Sequence, residues 1–312
     1  MNAHAVVVEQ PLKLQLRELA LVEPTENDLV VDICWSGIST GTEKLLWSGR
    51  MPTFPGMGYP LVPGYESVGR VAQAGKSTNY ENGELVFVPG AACFGEVKGL
   101  FGGAASRVVI PALRAIRVSE ALGEKGTLLA LAATAYHAHV AAGSNKPELI
   151  VGHGVLGRMI ARLTVLAGGK PVVWETNPDR RTGAMGYELI DPKDDTRSNY
   201  RCICDVSGDP SILDSLIARG AANCDIVLAG FYDQPMSFSF APAFLREARI
   251  RVAAQWKPAE LVAVRDLAES GQLSLDGLIT HRSNPHNAEA AYRTAFDDPT
   301  CLKMILDWRD AR

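Results

Sequence analysis

Gly152-His153-Gly154-Val155-Leu156-Gly157 sets three glycines at the spacing that cradles a dinucleotide pyrophosphate. An apolar run precedes it at residues 148–151, and residues 156–169 continue as an amphipathic helix. In that setting Gly152 permits a tight turn, Gly154 lets the backbone approach the phosphates, and Gly157 lets the helix pack closely. The N–H groups of Val155 and Leu156, at the helix N-terminus, are then offered to the pyrophosphate. Glu175 ends the next apolar run, where an acidic side chain accepts the ribose 2′- and 3′-hydroxyls and repels a 2′-phosphate, so NAD is expected over NADP. Arg180 and Arg181 follow it and are readable either as partners of a 2′-phosphate or as solvated charges. Later strand ends add Asp205, Ser207 and Gly208, then Ala229, Gly230 and Phe231, because ligands of such sheets bind beyond the carboxyl ends of the strands.

No comparable pattern offers a metal. Cys34, Cys93, Cys202, Cys204, Cys224 and Cys301 are scattered without a CxxC pair. Cys202 and Cys204 share a strand face but lack a second ligand pair, and read as small buried hydrophobes. His137 and His139, two apart on a helix, do not face one way. Trp47, Met51, Phe54, Met57 and Tyr59 crowd the segment 45–60 among Gly and Pro. They suit the lining of a wide, flat apolar cleft, and equally the closing of a β domain's core.

These residues need a scaffold of two textures. The first 118 residues are rich in Gly and Pro, with short β-like runs at 5–10, 29–35, 67–75, 84–90 and 106–112. A helix over 120–143, capped by Ser119, opens the second texture. Strands are expected at 148–154, 170–176, 200–208, 224–232 and 248–256, with helices at 156–169, 179–187, 209–220 and 241–248 between them. Apolar strands alternating with helices predict an α/β fold with a doubly wound parallel sheet. The tail offers a helix at 259–271, a strand-like run at 275–283, a helix after Asn284-Pro285 and a last strand at 302–308. A chain of 312 residues at this composition is expected to form two domains with a cleft. Its net charge of −4 gives no footprint for nucleic acid or an anionic membrane. Unpatterned cysteines point to a reducing, cytoplasmic setting, and neither a signal peptide nor a transmembrane segment is expected.

Several patterns together resemble the medium-chain dehydrogenase/reductase superfamily, over essentially the whole chain. Ser36-Gly37-Ile38-Ser39-Thr40 is similar to its TGICxTD-type segment, Pro63-Gly64-Tyr65-Glu66 to its GHE segment, and Thr134-Ala135-Tyr136-His137-Ala138 to the helix that crosses between its domains. The run from Glu175 to Arg180 resembles its adenosine-ribose segment, and Ile279-Thr280-His281-Arg282 a closing segment. The resemblance implies a GroES-like catalytic domain over 1–125 and 258–312 and a Rossmann domain over 126–257, with Thr134 near the cofactor. It also exposes departures. Where zinc-dependent members place Cys, His and a third ligand, this chain has Ser39, Tyr65 and Ala130, leaving only the companion acid Glu66. No zinc is therefore expected.

Residues 37–71 resemble most the zinc-lacking branch that oxidises the 3-(1-hydroxyethyl) group of a bacteriochlorophyllide to acetyl, in bacteriochlorophyll biosynthesis for photosynthesis. That resemblance implies a magnesium chlorin or bacteriochlorin, a tetrapyrrole, as substrate. A carbinol on a conjugated macrocycle needs less Lewis-acid help, because charge left as hydride departs spreads into the π system. Positioning and proton transfer then fall to Ser39, Thr40, Tyr65, Glu66 and His137. Tyr65 needs a neighbouring charge or relay to act as a base, and His137 is as readable as a satisfied core histidine. Two further readings stand beside this one: a zinc-free quinone or enoyl reductase using NADPH, and a non-catalytic dinucleotide-binding redox sensor. Either assembly, monomer or homodimer, is compatible with the chain.

Overall fold

A computed structural model describes every residue except Phe54, Ala142, Ser144 and Arg312. The chain divides into two compact units, Met1–Ala130 with Leu278–Arg312, and Leu131–Gly277.

The first unit begins with the antiparallel hairpin β1 (Asn2–Gln10) and β2 (Lys13–Ala20), then runs through β3 (Asp28–Ile38), α1 (Thr42–Ser48), β4 (Leu61–Val62) and β5 (Ser67–Ala74). It continues with β6 (Leu85–Val88), β7 (Lys98–Gly99), β8 (Arg107–Pro111) and β9 (Ile116–Arg117). From there α2 (Leu129–Ala141) leads on to β10 (Leu149–Val151), α3 (Val155–Leu166), β11 (Val172–Trp174), β12 (Glu188–Ile190) and β13 (Tyr200–Asp205). The second unit ends with α4 (Leu213–Arg219), β14 (Gly220–Leu228), α5 (Phe240–Arg246), β15 (Arg249–Val252) and α6 (Pro258–Glu269). The return to the first unit supplies β16 (His281–Ser283), α7 (Ala288–Asp297) and β17 (Met304–Asp307).

Two sheets build the first unit, in the orders β2-β1-β4-β7 and β16-β17-β3-β5-β6-β9, with β8 also on β3. Continuous apolar stretches of β1 and β3 bury Val6, Val7, Val8, Leu29, Val30, Val31 and Ile33 in one core. β17 lies antiparallel to β3, with Met304 opposite Ile38. That register brings the C-terminal strand, and Lys303 just before it, to the end of β3. The second unit is one parallel sheet, β12-β11-β10-β13-β14-β15. Its inner strands are largely buried, with Leu149, Ile203 and Ile226 in the core, as a sheet covered on both faces requires, while the edge strands β12 and β15 are mostly exposed or half-buried. The architecture is the expected α/β one, a β-rich unit and a doubly wound one. Among the described residues no helix is long and apolar enough to cross a membrane.

Three local expectations change. Residues 179–187 form no helix: Asn177 caps a single 3-10 turn, Pro178–Arg180, and Gly183 and Gly186 then adopt φ of 71° and 80°, which end any helix. The chain instead reaches the short edge strand β12, which the sequence reading omitted. The helix placed at 120–143 begins only at Leu129; Ser119 Oγ accepts the Ala121 N–H at 3.1 Å, but Gly123 at φ 48° interposes a 3-10 turn over Gly123–Leu128. The return to the first unit falls at Leu278 rather than at 258. Arg162 on α3 donates to the carbonyls of Ser274 and Asp276 at 2.7 and 3.0 Å, holding the segment after α6 within the second unit.

Candidate active site

In the second unit the three glycines answer three different constraints. Gly152 has φ 102°, a region that favours glycine. A Cβ on Gly157 would lie 1.9 Å from the Gly152 carbonyl oxygen, so only glycine lets α3 start this close to β10. A Cβ on Gly154 would meet nothing within 4 Å. Protein packing does not demand glycine there, whereas a ligand passing against the backbone would. Gly154 is also the N-cap of α3 and brings no side chain to it, leaving the first-turn N–H groups, those of buried Val155 and half-buried Leu156 among them, without a side-chain cap. This cradle fits the pyrophosphate of a dinucleotide.

Glu175, buried at the end of β11, is more committed than a lone ribose acceptor. Its Oε2 accepts the His153 N–H at 3.1 Å and its Oε1 the Asn177 N–H at 2.8 Å, each oxygen keeping lone-pair capacity for a sugar hydroxyl. His153 lies under the turn. Its Nδ1 donates to the Arg180 carbonyl at 2.8 Å, so Nε2 is the acceptor, 2.7 Å from Tyr187 Oη. Burial pushes this imidazole down to about 4, with the Arg158 charge adding to the effect. Arg158 itself donates to the carbonyls of His153 and Arg180. Arg181 is engaged with Asp191 at 2.8 Å. Farther along the sheet, Asp205 accepts the Ser207 N–H at 3.1 Å on its carboxylate and the Gly230 N–H at 3.1 Å on its carbonyl, so both turns are organised by one buried residue. Thr134 is half-buried on α2. One turn on, His137 sets Nδ1 3.0 Å from both carboxylate oxygens of Glu260 on α6.

In the first unit, Ser39 Oγ and Tyr65 Oη are hydrogen-bonded at 2.8 Å, and Phe101 packs edge-on against the Tyr65 ring at 5.4 Å. Burial pushes the Tyr65 phenol well above its ordinary value, and the neighbouring Glu66 charge pushes it the same way. The charge beside Tyr65 thus has the wrong sign to make it a base; it is a neutral hydroxyl. Thr40 is exposed and stands outside this cluster. Glu66 is wholly buried, with Oε2 2.6 Å from Lys303 Nζ, while its Oε1 has no hydrogen-bond partner among the described residues. Lys303 also donates to the Ile38 carbonyl at 3.1 Å. Gly37 is required here, because a Cβ would come within 2.3 Å of Glu66 Oε2.

Three members of this cluster escaped the sequence reading: Glu43, Tyr292 and Lys303. Glu43 Oε1 accepts the Ser39 N–H at 3.1 Å and Oε2 the Tyr292 hydroxyl at 2.7 Å. A signal existed for Lys303, the one cation in the apolar stretch 302–306, and for Glu43, four residues after Ser39 at the start of a helix.

The expected substrate residues are placed otherwise. Trp47 lies on α1 rather than in a loop, and both Trp47 and Met51 are buried in the first unit's core, as the core-closing reading of this segment has it. Met57 and Tyr59 are half-buried against the same core, and Tyr59 donates to the Leu46 carbonyl. Phe54 lies outside the described residues. A cavity of about 350 Å³ in this unit is lined by Gly56, Ala92, Phe94, Val97, Lys98 and Leu100.

The donor set does not fit a catalytic zinc. Ser39 and Tyr65 present hydroxyls and Ala130 a buried methyl, and among the described residues no three His, Cys, Asp or Glu side chains are grouped to hold a metal ion. Cys93 is buried and accepts the Val109 N–H.

The alcohol dehydrogenase GroES-like domain family matches residues 25–120. The chain is 57% identical over 314 residues, covering 100% of both sequences, to a 2-desacetyl-2-hydroxyethyl bacteriochlorophyllide A dehydrogenase of Rhodobacter capsulatus. It is 56% identical, over 99% of both, to its counterpart in Cereibacter sphaeroides. Among solved structures, L-idonate 5-dehydrogenase of Escherichia coli superposes with a TM-score of 0.87 at 19% identity, covering 98% of each chain. The chain belongs to the alcohol dehydrogenase family with a GroES-like domain, in the group of the 2-desacetyl-2-hydroxyethyl bacteriochlorophyllide A dehydrogenases.

Proposed function

We infer that the chain oxidises the hydroxyethyl group of a bacteriochlorophyllide to an acetyl group, with NAD as hydride acceptor and without catalytic zinc. The observation that carries this reading is the Ser39–Tyr65 hydroxyl pair standing where zinc-dependent relatives place metal ligands, in a chain 57% identical to a dehydrogenase of that name. The chemistry supplied by the bound nicotinamide is hydride acceptance. The protein's part is to hold the carbinol oxygen and receive its proton. A neutral Tyr65, tied to Ser39, is suited to positioning that oxygen rather than deprotonating it. Within the second unit, Glu260 holds His137 Nδ1 and leaves Nε2 as a nitrogen able to accept a proton. Glu175 at the end of β11, with Arg181 already paired to Asp191, supports NAD over NADP.

The test mixes the purified protein with NAD and a 3-hydroxyethyl bacteriochlorophyllide and follows the red shift that conjugation to a new acetyl carbonyl causes, with zinc measured in the same sample. Turnover at far less than one zinc per chain is expected. A sample that turns over only when stoichiometric zinc is present overturns the zinc-free part, turnover with NADP in place of NAD but not with NAD overturns the cofactor assignment, and no red shift with NAD or NADP overturns the reaction.

A further inference from the structure

Two carboxylates and one ammonium are enclosed together in the first unit: Glu43 is 1% exposed, Glu66 0% and Lys303 1%. If all three were ionised, the interior would hold one uncompensated negative charge, an arrangement proteins relieve by keeping a proton. Lys303 contacts Glu66 at 2.6 Å and so neutralises that carboxylate. The retained proton falls to Glu43, whose partners are the hydroxyl of Tyr292 on α7 and the backbone N–H of Ser39.

The contact with Ser39 gives the proton a consequence. Glu43 and Ser39 are joined twice, by Ser39 N–H to Glu43 Oε1 and by Glu43 N–H to the Ser39 carbonyl, both at 3.1 Å. Ser39 in turn holds Tyr65 through its hydroxyl. An ionised carboxylate grips a backbone N–H about twice as strongly as a neutral acid does. We propose that Glu43 is a positioning residue whose protonation state sets the placement of the Ser39–Tyr65 hydroxyl pair, so that turnover depends on an ionisation belonging to neither hydroxyl. The catalytic bearing of this proposal rests on the dehydrogenase reading; the coupling of Glu43 to Ser39 does not.

The energetics place the switch near neutrality. Burial pushes the Glu43 carboxyl up to about 7; repulsion from Glu66 adds to this, while Tyr292, the Ser39 N–H and Lys303 oppose it. The groups facing Glu43 are Tyr292 from α7, Lys303 beside β17, and Glu66 and Tyr65 before β5. Tyr65 and Tyr292 stay neutral across this range, burial raising both.

The experiment follows the backbone amide of Ser39 in protein labelled with nitrogen-15 serine, from pH 6 to 8, beside kcat over the same range. In the wild type the amide resonance is expected to titrate near pH 7, and kcat to rise about tenfold as one group ionises. In Glu43→Gln the amide titration disappears, and with it the part of the kcat rise that follows the amide, with cofactor affinity unchanged. Tyr292→Phe, which removes one hydroxyl only, moves the midpoint to higher pH, because that hydroxyl favours the ionised form. A Ser39 amide that does not titrate in the wild type, or titrates alike in Glu43→Gln, overturns the coupling. A titrating amide with a kcat that ignores it overturns the positioning role, and absence of any turnover counts against the dehydrogenase reading while leaving the amide result to decide the coupling.

Discussion

The Glu175 carboxylate is bound by the His153 N–H at 3.1 Å, which ties the end of β11 to the middle of the glycine turn that follows β10. The acid expected to read the ribose is thus also a strut of the pyrophosphate cradle. Replacing it with Ala strips acceptors from two buried or half-buried N–H groups, at about 1–3 kcal/mol each where burial is complete. Glu175→Ala should therefore lower the unfolding midpoint and weaken NAD binding together. Glu175→Gln keeps the shape and loses the charge, and should weaken NAD by about tenfold, the value of one charge-assisted hydrogen bond. Fluorescence titration of NADH beside a thermal melt separates the two, and a Gln variant that binds NAD as the wild type does would remove Glu175 from the cofactor site.

The glycines separate packing from ligand approach more cleanly. Gly154→Ala meets no protein atom within 4 Å and should leave the melting temperature within a degree or two, yet weaken NAD by at least about tenfold as the methyl meets the phosphates. Gly157→Ala drives a Cβ to within 1.9 Å of the Gly152 carbonyl and should destabilise the second unit by about 1–3 kcal/mol, ligand present or not. Chemical denaturation of both variants, with and without NAD, is the measurement. Equal loss of stability in the two would show that Gly154 is a packing glycine after all.

What the sequence made legible was what local rules govern. The glycine motif, Glu175 and the parallel strands carry their period and spacing openly, and the Ser39 and Tyr65 departures stand in recognisable segments. The rest depended on contacts between distant parts of the chain. Glu43 and Tyr292 are 249 positions apart, and Glu66 and Lys303 237, so no window along the sequence brings them together. In the segment 45–60 composition left two readings open, a ligand-lining loop and core closure; Trp47 on α1 and Met51 just after it are buried in the core, where burial of large side chains outweighs exposure. Trp47→Ala is accordingly expected to cost about 3–5 kcal/mol in stability and not to raise the chlorin KM selectively. The strand β12 was hidden because three residues at a sheet edge, one exposed and two half-buried, are too few to show an alternation.

His153 makes the second unit sensitive to acid. Its folded value, about 4, lies below the ordinary 6.5, so the folded state binds fewer protons than the unfolded chain between those values. The stability it contributes is present above pH 6.5 and is lost as pH falls through about 4. At pH 5 the loss should be on the order of 2 kcal/mol, since each unit of pH below 6.5 is worth about 1.4 kcal/mol. Protonation also makes Nε2 a donor, abolishing its role as acceptor for Tyr187. Urea unfolding at pH 7 and pH 5 of the wild type and of His153→Gln isolates this contribution as the difference between the two proteins. A variant as acid-sensitive as the wild type would assign the effect to other groups.

The buried pair of Glu66 and Lys303 is the severest test of the first unit. Lys303→Met removes the cation from beside a carboxylate that is 0% exposed and already has one oxygen without a partner. An uncompensated buried charge of this kind typically costs about 3–5 kcal/mol, which Glu66 can reduce only by taking up a proton. Glu66→Gln alone leaves Lys303 its carbonyl bond to Ile38 and a side-chain acceptor, and should cost less. The double variant Lys303→Met, Glu66→Gln should recover much of the loss of the first, because no unpaired charge remains. The coupling free energy from this cycle is the measurement: additive losses would show that the two side chains stabilise the fold independently. A large positive recovery would show that Lys303 is kept for its charge beside Glu66, and hence that it, rather than a metal, is the cation this cluster is built around.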